Sequence, residues 1–135
     1  MAIINMDYIK VVAAVIKKDN KVLIARRKEG KSLEFMWEYP GGKVEPDEYE
    51  EQTLKRELFE EFQIQVDVKK YLTESFYDYG TFKINLRAYL VEHISGNFKL
   101  IDHDMIEWVS LNEFTHYSFA PADIPINEYL IANGI

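Results

Sequence analysis

Cysteine is absent from all 135 residues. Disulfides, thiolate nucleophiles and zinc-thiolate centres are therefore excluded. No apolar stretch approaches the about 20 residues of a membrane span. The N-terminus, MAIINMDYIK, has neither a basic start nor a long apolar run, so no signal peptide is expected. A cytoplasmic protein is the expectation. Repeats, low-complexity tracts and linkers are missing as well. The length suits one domain with a real core and not two, so residues 1–135 are read as a single domain. A basic surplus is also lacking, since the net charge is −7. That argues against a nucleic-acid polymer, which wants a basic face. It leaves a mononucleotide open, because metal ions bound with a polyphosphate invert the local charge. Apolar content is ordinary and aromatics are plentiful, so disorder is not expected.

Strands and helices alternate along the chain. Tyr8 to Ile16 is a β-rich apolar run, Lys17 to Lys21 a polar turn, and Val22 to Ala25 a second strand, which together predict a hairpin. Arg26 to Phe35 reads as a polar loop. A helix follows Gly41-Gly42, with Asp47 as the expected N-cap and Glu50 three residues on. Leu54, Leu58 and Phe62 recur at i, i+4 and i+8 and should face the core. Val66 to Glu74 and Phe76 to Tyr79 look extended, Gly80 marks a turn, and Phe82 to Leu90 alternates as a strand. Ile106 to Val109 is a short strand, and Ser110 with Glu113 suggests a capped helical turn. Asp123 is placed to cap a final helix with Pro125 in its first turn. This order predicts an α/β fold, a mixed β-sheet between two helical layers.

The densest information lies in Gly42 to Ile64, which carries eight acids in 23 residues. Glu57, Glu60 and Glu61 are spaced i, i+3, i+4, which puts all three on one helical face with neighbouring Cβ atoms about 5–6 Å apart. Carboxylates so crowded repel one another unless a cation sits among them, and a hard divalent ion with oxygen ligands suits them. From Gly42 the spacing runs five residues to Glu48, seven more to Arg56, then Glu57-Leu58-Phe59-Glu60-Glu61-Phe62-Gln63-Ile64. It resembles the Nudix box, G-x5-E-x7-R-E-U-x-E-E-x-G-U with U a bulky aliphatic. Gln63 is the one departure, standing where the family has Gly. That Gly ends the helix in a left-handed conformation, so Gln63 costs roughly 1 kcal/mol or the helix ends differently.

The resemblance implies a Nudix fold, an α/β/α sandwich with a mixed sheet, over nearly the whole chain. It implies Mg²⁺, or Mn²⁺ in its place, held by Glu57, Glu60 and Glu61 and by the carbonyl of Gly41. Glu57 or Glu60 is implied as the base that activates water. By the same resemblance Arg56 pairs with Glu48 and orients the metal-binding carboxylates. Glu48 and Arg56 are eight apart, about two turns if both are helical. Arg26 and Arg27 close a strand and point to opposite faces, so one of them reaches phosphate, and the mutator-type (MutT-like) relatives favour Arg27. Lys43 after the double glycine is a further phosphate candidate. Asp102 stands where many relatives carry an acid before a Trp, and is a candidate extra metal ligand or base, with His103 beside it as a loop residue. Ala120 to Ile126 resembles the C-terminal motif of the mutator and cytidine-triphosphate pyrophosphohydrolase branch, which places Asp123 over the base. An ionised Asp only accepts hydrogen bonds, which favours donor edges such as the amine of cytosine. The alternative is a plain helix cap. Phe82, Tyr77, Tyr79 and Phe119 are candidates for stacking on the base.

The expected activity is Mg²⁺-dependent hydrolysis of nucleoside triphosphates to monophosphate and pyrophosphate, with cytidine triphosphates or oxidised purine nucleotides such as 8-oxo-dGTP as substrates. Its partners are then small nucleotides, with neither nucleic-acid polymer nor membrane. The rivals are cleavage of a nucleotide sugar or dinucleoside polyphosphate, and a Nudix-fold ligand-binding module without turnover.

Overall fold

The computed structural model describes residues 8–135, so most of the N-terminal segment read for a signal, residues 1–7, lies outside the described residues. Strands β1 (Tyr8–Lys18) and β2 (Lys21–Arg27) form the expected hairpin. Asp19 and Asn20 both take positive φ, 52° and 64°. Such a turn twists with the strands it joins, and Asp and Asn tolerate it better than other non-glycine residues. Two short strands follow, β3 (Trp37–Glu38) on β2 and β4 (Gly41–Lys43) on β1. Helix α1 (Glu50–Phe62) leads to the antiparallel pair β5 (Gln65–Asp78) and β6 (Lys83–Ser95), and β6 returns parallel to β1 with Ala13 opposite Ala88. Strand β7 (His103–Val109) pairs antiparallel with β2, and α2 (Ile124–Asn133) ends the chain. The sheet is thus mixed, in the order β3-β2-β1-β6-β5, with β4 on β1 and β7 on β2.

The period-2 alternation of β1 and β2 builds both halves of the core. Val12, Ala14 and Ile16 join Leu23 and Ala25 against Leu54, Leu58 and Phe62 of α1. Ala13 and Val15 join Val22 and Ile24 against Ile126 and Leu130 of α2. All of these core residues are at most 1% exposed. Each fully buried Leu, Ile or Phe contributes about 1.5–3 kcal/mol, and this apolar stripe anchors α1 so that its acidic face is presented along the sheet end.

Three local expectations change. Asp47 is not the cap of α1. The cap position is Tyr49, whose N–H donates to Gln52 Oε1 at 2.8 Å. Glu48 therefore precedes the helix and reaches Arg56 from the incoming loop, not from two turns below. Its Oε1 also accepts from Thr53 Oγ1 at 2.8 Å and from the Glu45 N–H at 3.1 Å, which ties that loop down. Strand β5 runs through Ser75 without a break, because Ser75 pairs opposite Leu86 and is itself buried. The helix ends as the family glycine would end it. Gln63 adopts φ 61° and ψ 36°, and its N–H donates to the Phe59 carbonyl at 2.8 Å.

Candidate active site

Arg56 is the organising cation of α1. Its Nε and Nη2 grip Glu48 Oε2 at 2.6 Å and Oε1 at 2.9 Å, a two-pronged fork. Its Nη1 reaches Glu57 Oε2 and Glu60 Oε1, both at 3.2 Å, and Nη2 also meets the Lys43 carbonyl at 3.3 Å. The Arg56 hydrogen bonds hold the Glu48 carboxyl down at about 2. A single planar guanidinium thus binds three acids, which a lysine ammonium could not do with the same geometry.

The double glycine makes room for this. A Cβ on Gly41 would stand 1.9 Å from the Val12 carbonyl oxygen, and one on Gly42 would stand 2.2 Å from the Glu57 carboxyl carbon. Only glycine lets β4 press against β1 and under α1 here.

The three glutamates of the helical face fare differently. Glu61 is buried, 6% exposed, and lines a cavity of about 260 Å³. Glu57 is half-buried behind Gly42, and the Glu60 side chain is 55% exposed on the flank, held by Arg56. Burial pushes the Glu57 carboxyl up. It pushes Glu61 well above the usual range, with the charges of Glu38 and Glu57 adding to the effect. The Glu57 and Glu61 carboxyls are close enough to share a proton, while Glu61 Oε1 has no hydrogen-bond partner. Among the described residues no group of three or more His, Asp or Glu side chains is arranged to hold a metal ion as the side chains stand. The donor set nonetheless fits a hard cation. It consists of carboxylate oxygens, one orphaned and buried, whose mutual repulsion a divalent charge relieves.

Along the cavity, Arg27 is present and Arg26 is not. Arg27 donates from Nε to the Ser32 carbonyl at 2.5 Å, from Nη2 to Ser32 Oγ at 3.2 Å, and from Nη1 to Glu38 at 3.1 Å. Arg26 turns to the other face, forked onto Asp104 at 2.8 and 3.0 Å. Lys43 contributes its carbonyl to Arg56 and leaves its exposed side chain outside the cavity. Gly41 lines the cavity, and Asp102 lies at its rim facing Lys31 Nζ at 3.8 Å.

The far wall is apolar and aromatic. Phe82 lies at the mouth, 39% exposed, and stacks on Tyr79 at 5.1 Å. Tyr77 lies on the other side of Tyr79, off the cavity. Phe119 is in the core against Phe114 and Tyr39 instead of at the cavity. Asp123 occupies the cap position of α2, yet its carboxyl makes no capping bond. It lines the cavity, and its Oδ2 accepts the Tyr39 N–H at 2.9 Å. Burial raises the Asp123 carboxyl well above its ordinary range, and the nearby Glu38 charge adds to this. The premise that Asp123 is ionised is therefore corrected: burial favours the neutral acid, which donates as well as accepts.

Two cavity residues have no counterpart among the sequence candidates in the roles they occupy. Glu38 Oε2 meets His103 Nε2 at 2.9 Å while the same carboxylate accepts from Arg27. His103 is no loop residue but opens β7, buried, with its ring stacked on Phe62 at 5.3 Å. The signal available in the sequence was an acid lodged between Trp37 and the double glycine, where an apolar strand residue would otherwise be expected.

The family model of the NUDIX domain matches residues 11–129. The chain is 39% identical over 127 residues to the CTP pyrophosphohydrolase of Escherichia coli (strain K12), covering 94% of each chain. It is 36% identical over 116 residues to the putative 8-oxo-dGTP diphosphatase 2 of Mycobacterium tuberculosis (strain ATCC 25618 / H37Rv), covering 84% of this chain and 81% of that one. Among solved structures, that of the E. coli ORF135 protein superposes with a TM-score of 0.83 at 39% identity, covering 93% of this chain and 90% of that one.

Proposed function

The chain belongs to the NUDIX domain family, and on that premise we propose the reaction that its site performs. It is a nucleoside triphosphate pyrophosphohydrolase, a single domain over residues 1–135 that releases a nucleoside monophosphate and pyrophosphate. Cytidine triphosphates and 8-oxo-dGTP are its candidate substrates, supported by relatives named for each. The observation that carries the reading is Arg56 gripping Glu48, Glu57 and Glu60 beside a cavity whose other end holds Asp123. A binding module without turnover has no use for that arrangement. The net charge of −7 supports free nucleotides over a polymer, and work on the cytoplasmic nucleotide pool belongs to the same reading.

Glu57, Glu60, Glu61, the Gly41 carbonyl and Asp102 are the residues that would hold Mg²⁺, with Mn²⁺ as the alternative. When bound, such an ion neutralises charge on the phosphoanhydride and makes water more acidic. The protein's own groups do the rest. Arg56 keeps the carboxylates in register through Glu48. A carboxylate takes a proton from the attacking water as it adds to phosphorus, and the bridging P–O bond breaks. Glu57 stands against Gly42, which lines the cavity, while Glu60 is exposed on the flank, and this placement supports Glu57 as that base. Arg27, already oriented by Ser32 and Glu38, meets phosphate. Phe82 covers the base.

Asp123 reads the base edge. The Tyr39 N–H holds Oδ2 as an acceptor, so the proton of the neutral acid sits on Oδ1. Cytosine offers a ring acceptor beside an amine donor, which complements that pair, while uracil reverses both. The preference for cytosine should be about 1–3 kcal/mol. A panel of normal and modified triphosphates with pyrophosphate detection tests the reading, alongside Glu57→Gln and Glu60→Gln. Turnover of a cytidine triphosphate or 8-oxo-dGTP, lost by orders of magnitude in Glu57→Gln, is expected. Cleavage confined to nucleotide sugars or dinucleoside polyphosphates would overturn it.

A further inference from the structure

The turn that carries Asp123 is held from a distant strand. Ala122 is buried, and both of its backbone polar groups are engaged by side chains from β5 and the hairpin that follows it. Ser75 Oγ donates to the Ala122 carbonyl at 2.7 Å, and the Ala122 N–H donates to the Tyr79 hydroxyl at 3.0 Å. Pro125, three residues on, carries no N–H for that carbonyl. Tyr79 is itself pinned. Its N–H donates to the Phe82 carbonyl at 2.8 Å across the hairpin turn, and its ring stacks on Phe82. From the other side, Tyr39 N–H holds Asp123 Oδ2 at 2.9 Å and Tyr39 Oη donates to Asn127 Oδ1 at 2.6 Å, fastening the start of α2.

Asp123 is thus set in place from two directions. The Tyr39 contact fixes which carboxyl oxygen accepts. The Ser75 and Tyr79 contacts fix where the Cα of the next residue lies relative to the aromatic wall. We infer that Ser75 and the Tyr79 hydroxyl are positioning residues for base discrimination, acting through Ala122 on Asp123 without bonding the base edge. The inference rests on the proposal that Asp123 reads the base. Its physical content is that a base contact discriminates only while donor and acceptor stay in alignment, and hydrogen bonds weaken steeply once their angles open. With the Ala122 N–H unpaired, the turn is free to rotate and Asp123 reads cytosine and uracil more alike.

Tyr79→Phe removes the hydroxyl and keeps the ring that packs on Phe82, and Ser75→Ala tests the second tether. Each variant is compared with wild type, Asp123→Ala, which removes both the donor and the acceptor, and the Tyr79→Phe/Asp123→Ala double variant. The readout is kcat and KM for cytidine and uridine triphosphates, with thermal melts to establish the folded fraction. Tyr79→Phe should lower the cytidine-to-uridine ratio of kcat/KM by about two- to tenfold, the equilibrium worth of one neutral hydrogen bond, with KM moving more than kcat. Lost folded protein lowers both substrates alike and leaves the ratio unmoved, so the ratio separates positioning from mere stability. If Tyr79 acts through Asp123, the double variant should show no further loss of discrimination than Asp123→Ala alone. An unchanged ratio in Tyr79→Phe and Ser75→Ala, with a changed ratio in Asp123→Ala, would refute the tether and leave the base reading standing. An unchanged ratio in all of them would remove the base reading and the tether together.

Discussion

Replacing Glu61 by Gln separates two things that its carboxyl does at once. Glu61 is 6% exposed, Oε1 has no hydrogen-bond partner, and burial pushes its carboxyl well above the ordinary value of 4.5. Without a cation, the folded protein either keeps a proton there or buries a charge. The unfolded chain releases that proton near pH 4.5, while the folded chain still holds it. Stability therefore falls as pH rises above about 4.5 and stops falling once the folded carboxyl ionises. Gln is nearly the same shape and has no such dependence. In chelator, Glu61→Gln should gain on the wild type as pH rises, by about 1.4 kcal/mol for each pH unit over which the folded carboxyl stays protonated while the unfolded one is ionised. For a domain of this size that is about 5 °C in Tm per pH unit. Mg²⁺ should reverse the order. The wild type gains stability by binding the ion, whereas the variant has lost a charged ligand, gains little and turns over slowly. Thermal melts at roughly pH 5, 7 and 8.5, in chelator and in Mg²⁺, check both halves. A variant that is less stable by the same amount at every pH, or that Mg²⁺ stabilises as much as the wild type, refutes the reasoning.

Arg56→Lys keeps the charge but loses the fork that binds Glu48, Glu57 and Glu60 together. Steady-state kinetics should show kcat falling more than KM rises, and a change confined to KM would make Arg56 a substrate contact instead. Gln63→Gly relieves a left-handed residue at φ 61° and should stabilise by about 1 kcal/mol in urea titration; an unchanged or lower midpoint would mean that the Gln63 side chain compensates for the strain. The Glu48 carboxyl is held at about 2 by Arg56, so its contribution to stability is fully present above its ordinary 4.5 and is lost as pH falls through 2. Wild-type and Glu48→Gln stability curves should therefore differ at neutral pH and converge between pH 4.5 and 2, and parallel curves over that range would show that the pair contributes nothing.

Local spacing determined much of this protein. Helical periodicity placed Leu54, Leu58 and Phe62 in the core and Arg56 beside Glu60, because contacts at i+3 and i+4 follow from helix geometry alone, while the pairing of Arg56 with Glu48 was implied by the family resemblance. The double glycine was legible for a similar reason, since a run of two glycines before an acidic helix marks a close backbone approach. So was the capped turn at Ser110, where the Glu113 carboxylate accepts the Ser110 N–H at 2.7 Å. Tertiary structure decided the remainder. Arg27 lines the cavity while Arg26 faces away, and the Lys43 side chain stays outside, because the sheet's faces are assigned by pairing across the whole chain. Glu38 meets His103 across 65 residues and Tyr39 meets Asp123 across 84, contacts that follow from the pairing of β3 and β7 with β2 and from the docking of α2, and from no local pattern. The electrostatic setting of the buried acids was decided there too. Asp123 and Glu61 are ordinary acids in the sequence, and only their removal from water, beside the charge of Glu38, raises their carboxyls above the ordinary range.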